Sequence, residues 1–255
     1  MKAIHFIGAG PGDPELITVK GKRLVTEADI IIYAGSLVPA AVIAEHKPGC
    51  EVYNSASMDL PEIIKVMADG VMAGKAVARV HTGDPSIYGS IREQMEELDK
   101  LGITYEVIPG VSSFVAAAAA VKKEFTVPEI SQTIILTRTE GRTPVPELEK
   151  LNLLASHRAS MVIFLSVQLM DDVVRLLCEH YPAETPVAVV EKASWPEQRI
   201  VRGTLADIAA KVKEAKINKT AQILVGEFLG ETYNNSLLYD PHFTHEYRNG
   251  KPCGE

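Results

Sequence analysis

Arg79-Val80-His81-Thr82-Gly83-Asp84-Pro85-Ser86-Ile87-Tyr88-Gly89-Ser90 is the stretch on which the fold turns. It closes an apolar run beginning at Ala76, breaks at Gly83 and Pro85, and resumes at Ile91 as a charged amphipathic helix. A short apolar run bounded by turn residues reads as a buried strand. In an open α/β sheet, ligands lie in the crevice outside the carboxyl ends of the strands. A strand that stops on Thr-Gly-Asp-Pro puts two polar side chains and bare backbone at that edge.

The same strand–loop–helix unit recurs on both sides. Residues 3–8 read as a buried strand entering Gly8-Ala9-Gly10-Pro11-Gly12-Asp13-Pro14. A helix follows, with Thr18 as its N-cap and Leu24, Val25 and Ala28 facing inward. Residues 29–34 form a second strand ended by Gly35-Ser36, and a short helix through Val42 and Ile43 leads to a third strand near 51–53. Residues 60–72 have helical spacing, with Pro61 in the first turn. Residues 103–108 are a strand closed by Pro109-Gly110-Val111-Ser112-Ser113, and the Ala-rich segment 114–121 is a helix by propensity. This alternation predicts an α/β fold with a parallel, doubly wound sheet through about residue 115.

The second half changes character. Strands are expected at 131–137 and 161–165 and a helix at 169–180. Residues 187–191 and 198–201 flank a Trp195-Pro196-Glu197 turn, which predicts a hairpin and hence a mixed sheet. A helix from Leu205 and a strand at 223–225 follow. The expected division is an N-terminal α/β lobe, 1–121, a C-terminal α/β lobe, 122–230, and an extended arm, 231–255. Gly141 to Pro146 is expected as an exposed loop.

Composition narrows the function. The 255 residues carry a formal charge of −7 and are 46% hydrophobic, which excludes a disordered chain. No basic run or Cys/His finger is present, so nucleic acid is not an expected partner. Cys50, Cys178 and Cys253 are widely spaced, without C-x-x-C, which fits a reducing cytoplasm. The N-terminal apolar run is too short for a signal peptide, and no run approaches the ~18–20 residues of a membrane span. The expectation is a soluble cytoplasmic protein.

Gly8-x-Gly10-x-Gly12 invites a dinucleotide-binding reading, but the third glycine comes one residue early and prolines stiffen the loop. The second strand also ends on Tyr33-Ala34-Gly35 rather than on an acid for the ribose, so NAD is disfavoured. There is no P-loop and no G-x-S-x-G elbow. His242-x-x-His245 lacks a third ligand nearby, and no metal is expected. His81 is a candidate for proton transfer or a structural histidine. Taken singly, each glycine loop is equally a tight βα turn, and Asp84 equally a turn starter or helix cap. Three such loops after three strands of one sheet would crowd onto one edge, and that convergence favours a ligand crevice.

Ile7-Gly8-Ala9-Gly10-Pro11-Gly12-Asp13-Pro14-Glu15-Leu16-Ile17-Thr18 resembles the N-terminal signature of the tetrapyrrole (uroporphyrinogen/precorrin) methylases. Gly83-Asp84-Pro85, Pro109-Gly110-Val111-Ser112-Ser113 and Val190-Glu191-Lys192 before Gln198-Arg199 recur in the family's order, so the resemblance spans roughly residues 3–230. The stretches Tyr33 to Val38, His81 to Gly89 and Leu238 to His245 are similar to the branch acting at ring carbon C11. The substrate of that branch is precorrin-4 or cobalt-precorrin-4, on the route to vitamin B12.

The resemblance implies two α/β lobes with S-adenosylmethionine in the cleft between them, and a homodimer. It places cofactor contacts on Pro11, Thr82, Gly83, Asp84, Ile87, Ser112 and Ser113, with Leu165 and Ala193 as counterparts from the second lobe. Relatives often have Met at the Leu165 position, and some have Gly at that of Ala193. Gly10, Gly12, Asp13, Tyr33 and Ser36 would face the substrate, and Lys20, Arg138 and Arg142 are candidate partners for its carboxylates. The acid that follows the second strand in uroporphyrinogen methylases is replaced here by Ala34-Gly35-Ser36, which leaves the proton acceptor unassigned. A precorrin methylase acting at C20 or C17, or a non-catalytic sensor of S-adenosylmethionine or a tetrapyrrole, fits the same motifs.

Overall fold

The computed structural model describes residues 3–231 and 235–252; Cys253 lies outside them. Contacts group the chain into two units, Met1–Ala117 with Lys192–Gln198, and Ala118–Glu191 with Arg199–Glu255.

In the first unit, β1 (Ile4–Gly8), β2 (Ile30–Tyr33), β3 (Glu51–Asn54), β4 (Val77–His81) and β5 (Tyr105–Ile108) form one sheet in the order β3-β2-β4-β1-β5. Every pairing in it is parallel. The helices between the strands are α1 (Val19–Glu27), α2 (Ala40–Ile43), α3 (Leu60–Met72) and α4 (Arg92–Lys100), and α5 (Ser113–Val121) follows the last strand. Side chains alternate between the two faces of each strand. Ile4, Phe6, Ile30 and Ile32 pack with Ile63, Met67 and Leu98 of α3 and α4. Ile7, Ile31, Ala78 and Val80 pack with Val25, Val42 and Ile43 of α1 and α2. Both faces are therefore covered, as parallel sheets require.

Local chemistry explains the helix starts. Thr18 Oγ1 accepts the Gly21 N–H at 3.1 Å. Asp59 and Glu62 form a reciprocal capping box at the start of α3, with Pro61 inside the first turn.

The second unit has β6 (Ile134–Arg138), β7 (Ser160–Phe164), β8 (Pro186–Glu191), β9 (Arg199–Thr204) and β10 (Ala221–Val225) in the order β6-β7-β10-β8-β9. Only β6 and β7 run parallel in this mixed sheet, and β8 and β9 form the expected antiparallel hairpin. Its core joins Met161, Ile163, Val189 and Ile223 to the helices α6 (Leu151–Ala155), α7 (Met170–Leu177) and α8 (Ile208–Glu214).

The tail differs from the extended form expected of it. Arg248 Nη2 donates to the carbonyls of Leu238 at 2.7 Å and Asp240 at 2.6 Å, and the Lys251 N–H donates to Pro241 O. One guanidinium satisfying several carbonyls curls residues 237–251 into a closed run of turns. No helix among the described residues is long and apolar enough to cross a membrane.

Candidate active site

Strand order locates the site in the first unit. The chain leaves β1 past β4 towards β2, but leaves β4 across β1 towards β5. Adjacent strands β1 and β4 thus send their connections opposite ways, which opens a crevice at their carboxyl ends. Gly10 and Gly83 meet there in an isolated antiparallel bridge: Gly83 N–H donates to Gly10 O at 2.8 Å, and Gly10 N–H to Gly83 O at 3.3 Å.

The loop after β5 closes on the same point. A Cβ on Gly8 would lie 2.6 Å from both Gly110 Cα and Gly83 O, and one on Gly110 would overlap the Gly83 carbonyl. These positions are glycine because three backbones touch, a steric requirement rather than a dihedral one. Gly10 and Gly83 add positive φ angles of 76° and 60°.

Asp84 ties the arrangement together. Its Oδ1 accepts the Ser86 N–H at 2.8 Å, closing the turn after β4, and its Oδ2 accepts the Gly110 N–H at 2.9 Å. Asp84 does not cap α4, whose N-cap is Ile91. Beyond it, Tyr88 and Ser90 hold φ angles of 55° and 49° around Gly89, whose Cβ would overlap Pro85 O. Left-handed non-glycine residues cost free energy and gather where a loop's shape matters.

Beneath this loop lie two buried basic groups. Arg79 is 5% exposed and donates to Gln94 Oε1 at 3.0 Å, Ser55 Oγ at 3.1 Å and Ile32 O at 3.3 Å. Burial lowers it to about 10, so it stays charged. Ser55 Oγ in turn donates to Tyr33 O, and the Asn54 side chain fills the space a Cβ on Gly35 would need. The Tyr33–Ser36 turn is thereby held from behind.

His81 is 4% exposed and pushed down to about 3, first by burial and then by the Arg79 charge, with a backbone hydrogen bond to Gly89 opposing. Burial and a ring held down to about 3 make it a weak base at neutral pH, which favours the structural one of the two roles open to His81.

The connection Lys192–Gln198 completes the site. Ser194 Oγ accepts the Asp13 N–H at 3.0 Å, and Trp195 Nε1 donates to Pro11 O at 2.8 Å. A Cβ on Gly12 would overlap the indole ring. Lys192 and Ser194 have φ angles of 48° and 71°, and Ala193 between them is buried. By sequence Trp195 is only a turn residue; the signal that marks it is a bulky aromatic inside a hairpin connection, where small polar residues are usual.

The structure thus gathers Gly10, Pro11, Gly12, Asp13, Thr82, Gly83, Asp84, Ile87, Ser112, Ser113 and Ala193 around touching loops of the first unit. Tyr33 ends β2, the neighbour of β4 in the same sheet, and Ser36 lies in the turn after it. Leu165 belongs to the second unit, where it follows β7 with a φ of 54° and 71% exposure, unusual for an apolar side chain in a strained backbone.

The basic candidates fare differently. Lys20 pairs with Glu106, and Arg138 donates to Thr139 O, Thr143 O and Pro144 O of its own loop. Both are engaged in holding structure. Arg142 is exposed. His242 Nδ1 lies 2.8 Å from Lys251 O and His245 Nδ1 accepts the Tyr247 N–H, so both serve the tail's turns.

Comparison with known proteins follows the same residues. The family model for tetrapyrrole (corrin/porphyrin) methylases matches residues 3–209. A cobalt-precorrin-4 C(11)-methyltransferase of Methanocaldococcus jannaschii is 59% identical, over 97% of this chain and 96% of its own. A precorrin-4 C(11)-methyltransferase of Pseudomonas aeruginosa is 51% identical, over 97% and 99%. Among solved structures, a cobalt precorrin-4 methyltransferase superposes with a TM-score of 0.88 at 49% identity, over 89% of this chain and 95% of that one. The uroporphyrin-III C-methyltransferase of Thermus thermophilus, complexed with S-adenosyl homocysteine, superposes with a TM-score of 0.74 at 27% identity, over 89% and 98%. The chain belongs to the tetrapyrrole (corrin/porphyrin) methylases.

Proposed function

We propose that this chain transfers a methyl group from S-adenosylmethionine to C11 of precorrin-4 or cobalt-precorrin-4 during corrin ring assembly. The observation that carries the reading is near-full-length identity of 59% and 51% to two proteins whose names both specify C11. Its other supports are the site geometry and the relative complexed with S-adenosyl homocysteine.

The residues present fit that cofactor. Pro11, Thr82, Gly83, Asp84, Ile87, Ser112, Ser113 and Ala193 combine bare glycine backbone, hydroxyls and small apolar surface, which suits a nucleoside carrying an amino-acid tail. S-adenosylmethionine, when bound, supplies a methyl on a sulfonium, already activated for displacement by a carbon nucleophile.

The chain's task is then to align and to exclude water. Touching glycine backbones let the loops approach the ligand closely, while Asp84 and the Gly10–Gly83 bridge hold them in register. Alignment of this kind contributes about 7–11 kcal/mol to bimolecular reactions. Gly10, Gly12, Asp13, Tyr33 and Ser36 face the tetrapyrrole in this reading, and the active form is a homodimer.

Single-turnover transfer of a labelled methyl, with NMR of the product, tests the proposal. Label at C11 is expected. Label at C20 or C17 would assign another step, and binding without transfer would favour a sensor. Paired assays with metal-free and cobalt substrates identify which ring is used.

A further inference from the structure

Trp195 lies 184 positions from Pro11 in the chain, yet its indole N–H donates to the Pro11 carbonyl at 2.8 Å. Its ring occupies the space that a side chain at position 12 would need. The Ser194 hydroxyl accepts the next amide of the same loop, that of Asp13. The turn presenting these groups is itself stiff. Ser194 N–H donates to Gln198 Oε1 at 2.8 Å, Lys192 Nζ stands 5.3 Å from the centre of the Trp195 ring, and Lys192 pairs with Glu197 at 3.9 Å. Two residues of the turn pay backbone strain to keep this shape.

We propose that Trp195 is a positioning residue for methyl transfer. It clamps the Gly10–Asp13 loop in the form that receives the tetrapyrrole, and ties that form to the turn carrying Ala193. The loop is also bridged at Gly10 by Gly83, so the indole adds a separate anchor at Pro11. Gly12 has no side chain because the clamp needs its face. This inference rests on the proposed methyl transfer for its consequence, but not for the clamp itself.

Trp195→Phe keeps an aromatic ring and removes the donor, and Trp195→Ala removes both. The clamp is read by amide hydrogen exchange at Asp13, which does not depend on what the site binds. Exchange at least fivefold faster in Trp195→Phe is expected, and faster again in Trp195→Ala. The functional readout is KM for the tetrapyrrole, expected to rise about tenfold in Trp195→Phe. The melting temperature should stay within a few degrees. Unchanged Asp13 exchange, or unchanged KM with accelerated exchange, overturns the proposal. A rise in KM accompanied by a fall in kcat and in melting temperature also overturns it, because that reports a merely structural ring. Failure of the wild-type protein to bind S-adenosylhomocysteine would instead count against the methyltransferase reading. Trp195 is the sole tryptophan of the chain, so its emission on titration with S-adenosylhomocysteine gives a second, site-specific readout.

Discussion

Asp84 Oδ2 accepts the backbone N–H of Gly110 at 2.9 Å, so one carboxylate joins the loop after β4 to the loop after β5. With Oδ1 on Ser86, the side chain acts first on the protein's own backbone. That makes Asp84 the pin of the crevice as well as one of its candidate ligand contacts.

Asp84→Ala is expected to release Gly110 and weaken S-adenosylhomocysteine binding at least tenfold. A hydrogen bond to a charged group is worth about 1.5–3 kcal/mol. Calorimetry on the variant checks this, and unchanged affinity would remove Asp84 from the site. Asp84→Asn should fall between, since an amide keeps one acceptor oxygen.

Gly110→Ala is expected to destabilise by about 3 kcal/mol, because the new Cβ meets backbone on two sides and cannot be relieved by a rotamer change. Gly74→Ala is the control. Its φ is 73° but nothing lies within 4 Å of the added carbon, so only the left-handed penalty of about 1–2 kcal/mol applies. Urea midpoints of the two variants should therefore differ clearly; equal midpoints would mean the three-glycine contact is loose.

His81 makes stability depend on pH in a definite direction. The folded ring is pushed down to about 3 from the ordinary value of 6.5. Between those values the unfolded chain binds the extra proton, so stability is full above about pH 6.5 and falls as pH drops towards 3. The expected loss from this one group is of the order of a few kcal/mol. Urea midpoints across that window should slope less in His81→Asn than in the wild type. The pH–rate profile above pH 6 should keep its shape in this variant, whereas loss of an inflection there would restore His81 as a proton carrier.

The order of elements, the Thr18 cap, Pro61 in the first turn of α3 and the β8–β9 hairpin were legible because each depends on neighbours in sequence. Periodicity reports which face of a strand is buried, and a cap is complete within four residues. The glycine loops could be found the same way, as breaks after apolar runs. The motif resemblance of residues 7–18 and 81–89 then pointed to the family. What no local pattern carries is which backbones touch. Gly8 and Gly110 are glycines because their backbones touch each other and the Gly83 carbonyl, Asp84 binds an amide 26 positions away, and Trp195 reaches one loop across most of the chain. Likewise, the sequence leaves His81 as either a proton carrier or a structural histidine, and only its burial beside the Arg79 charge favours the second. Local hydrogen bonding and hydrophobic period determined the strands and turns from the sequence alone. Tertiary packing decided which turns meet, because steric contact and desolvation depend on distance in space and not along the chain.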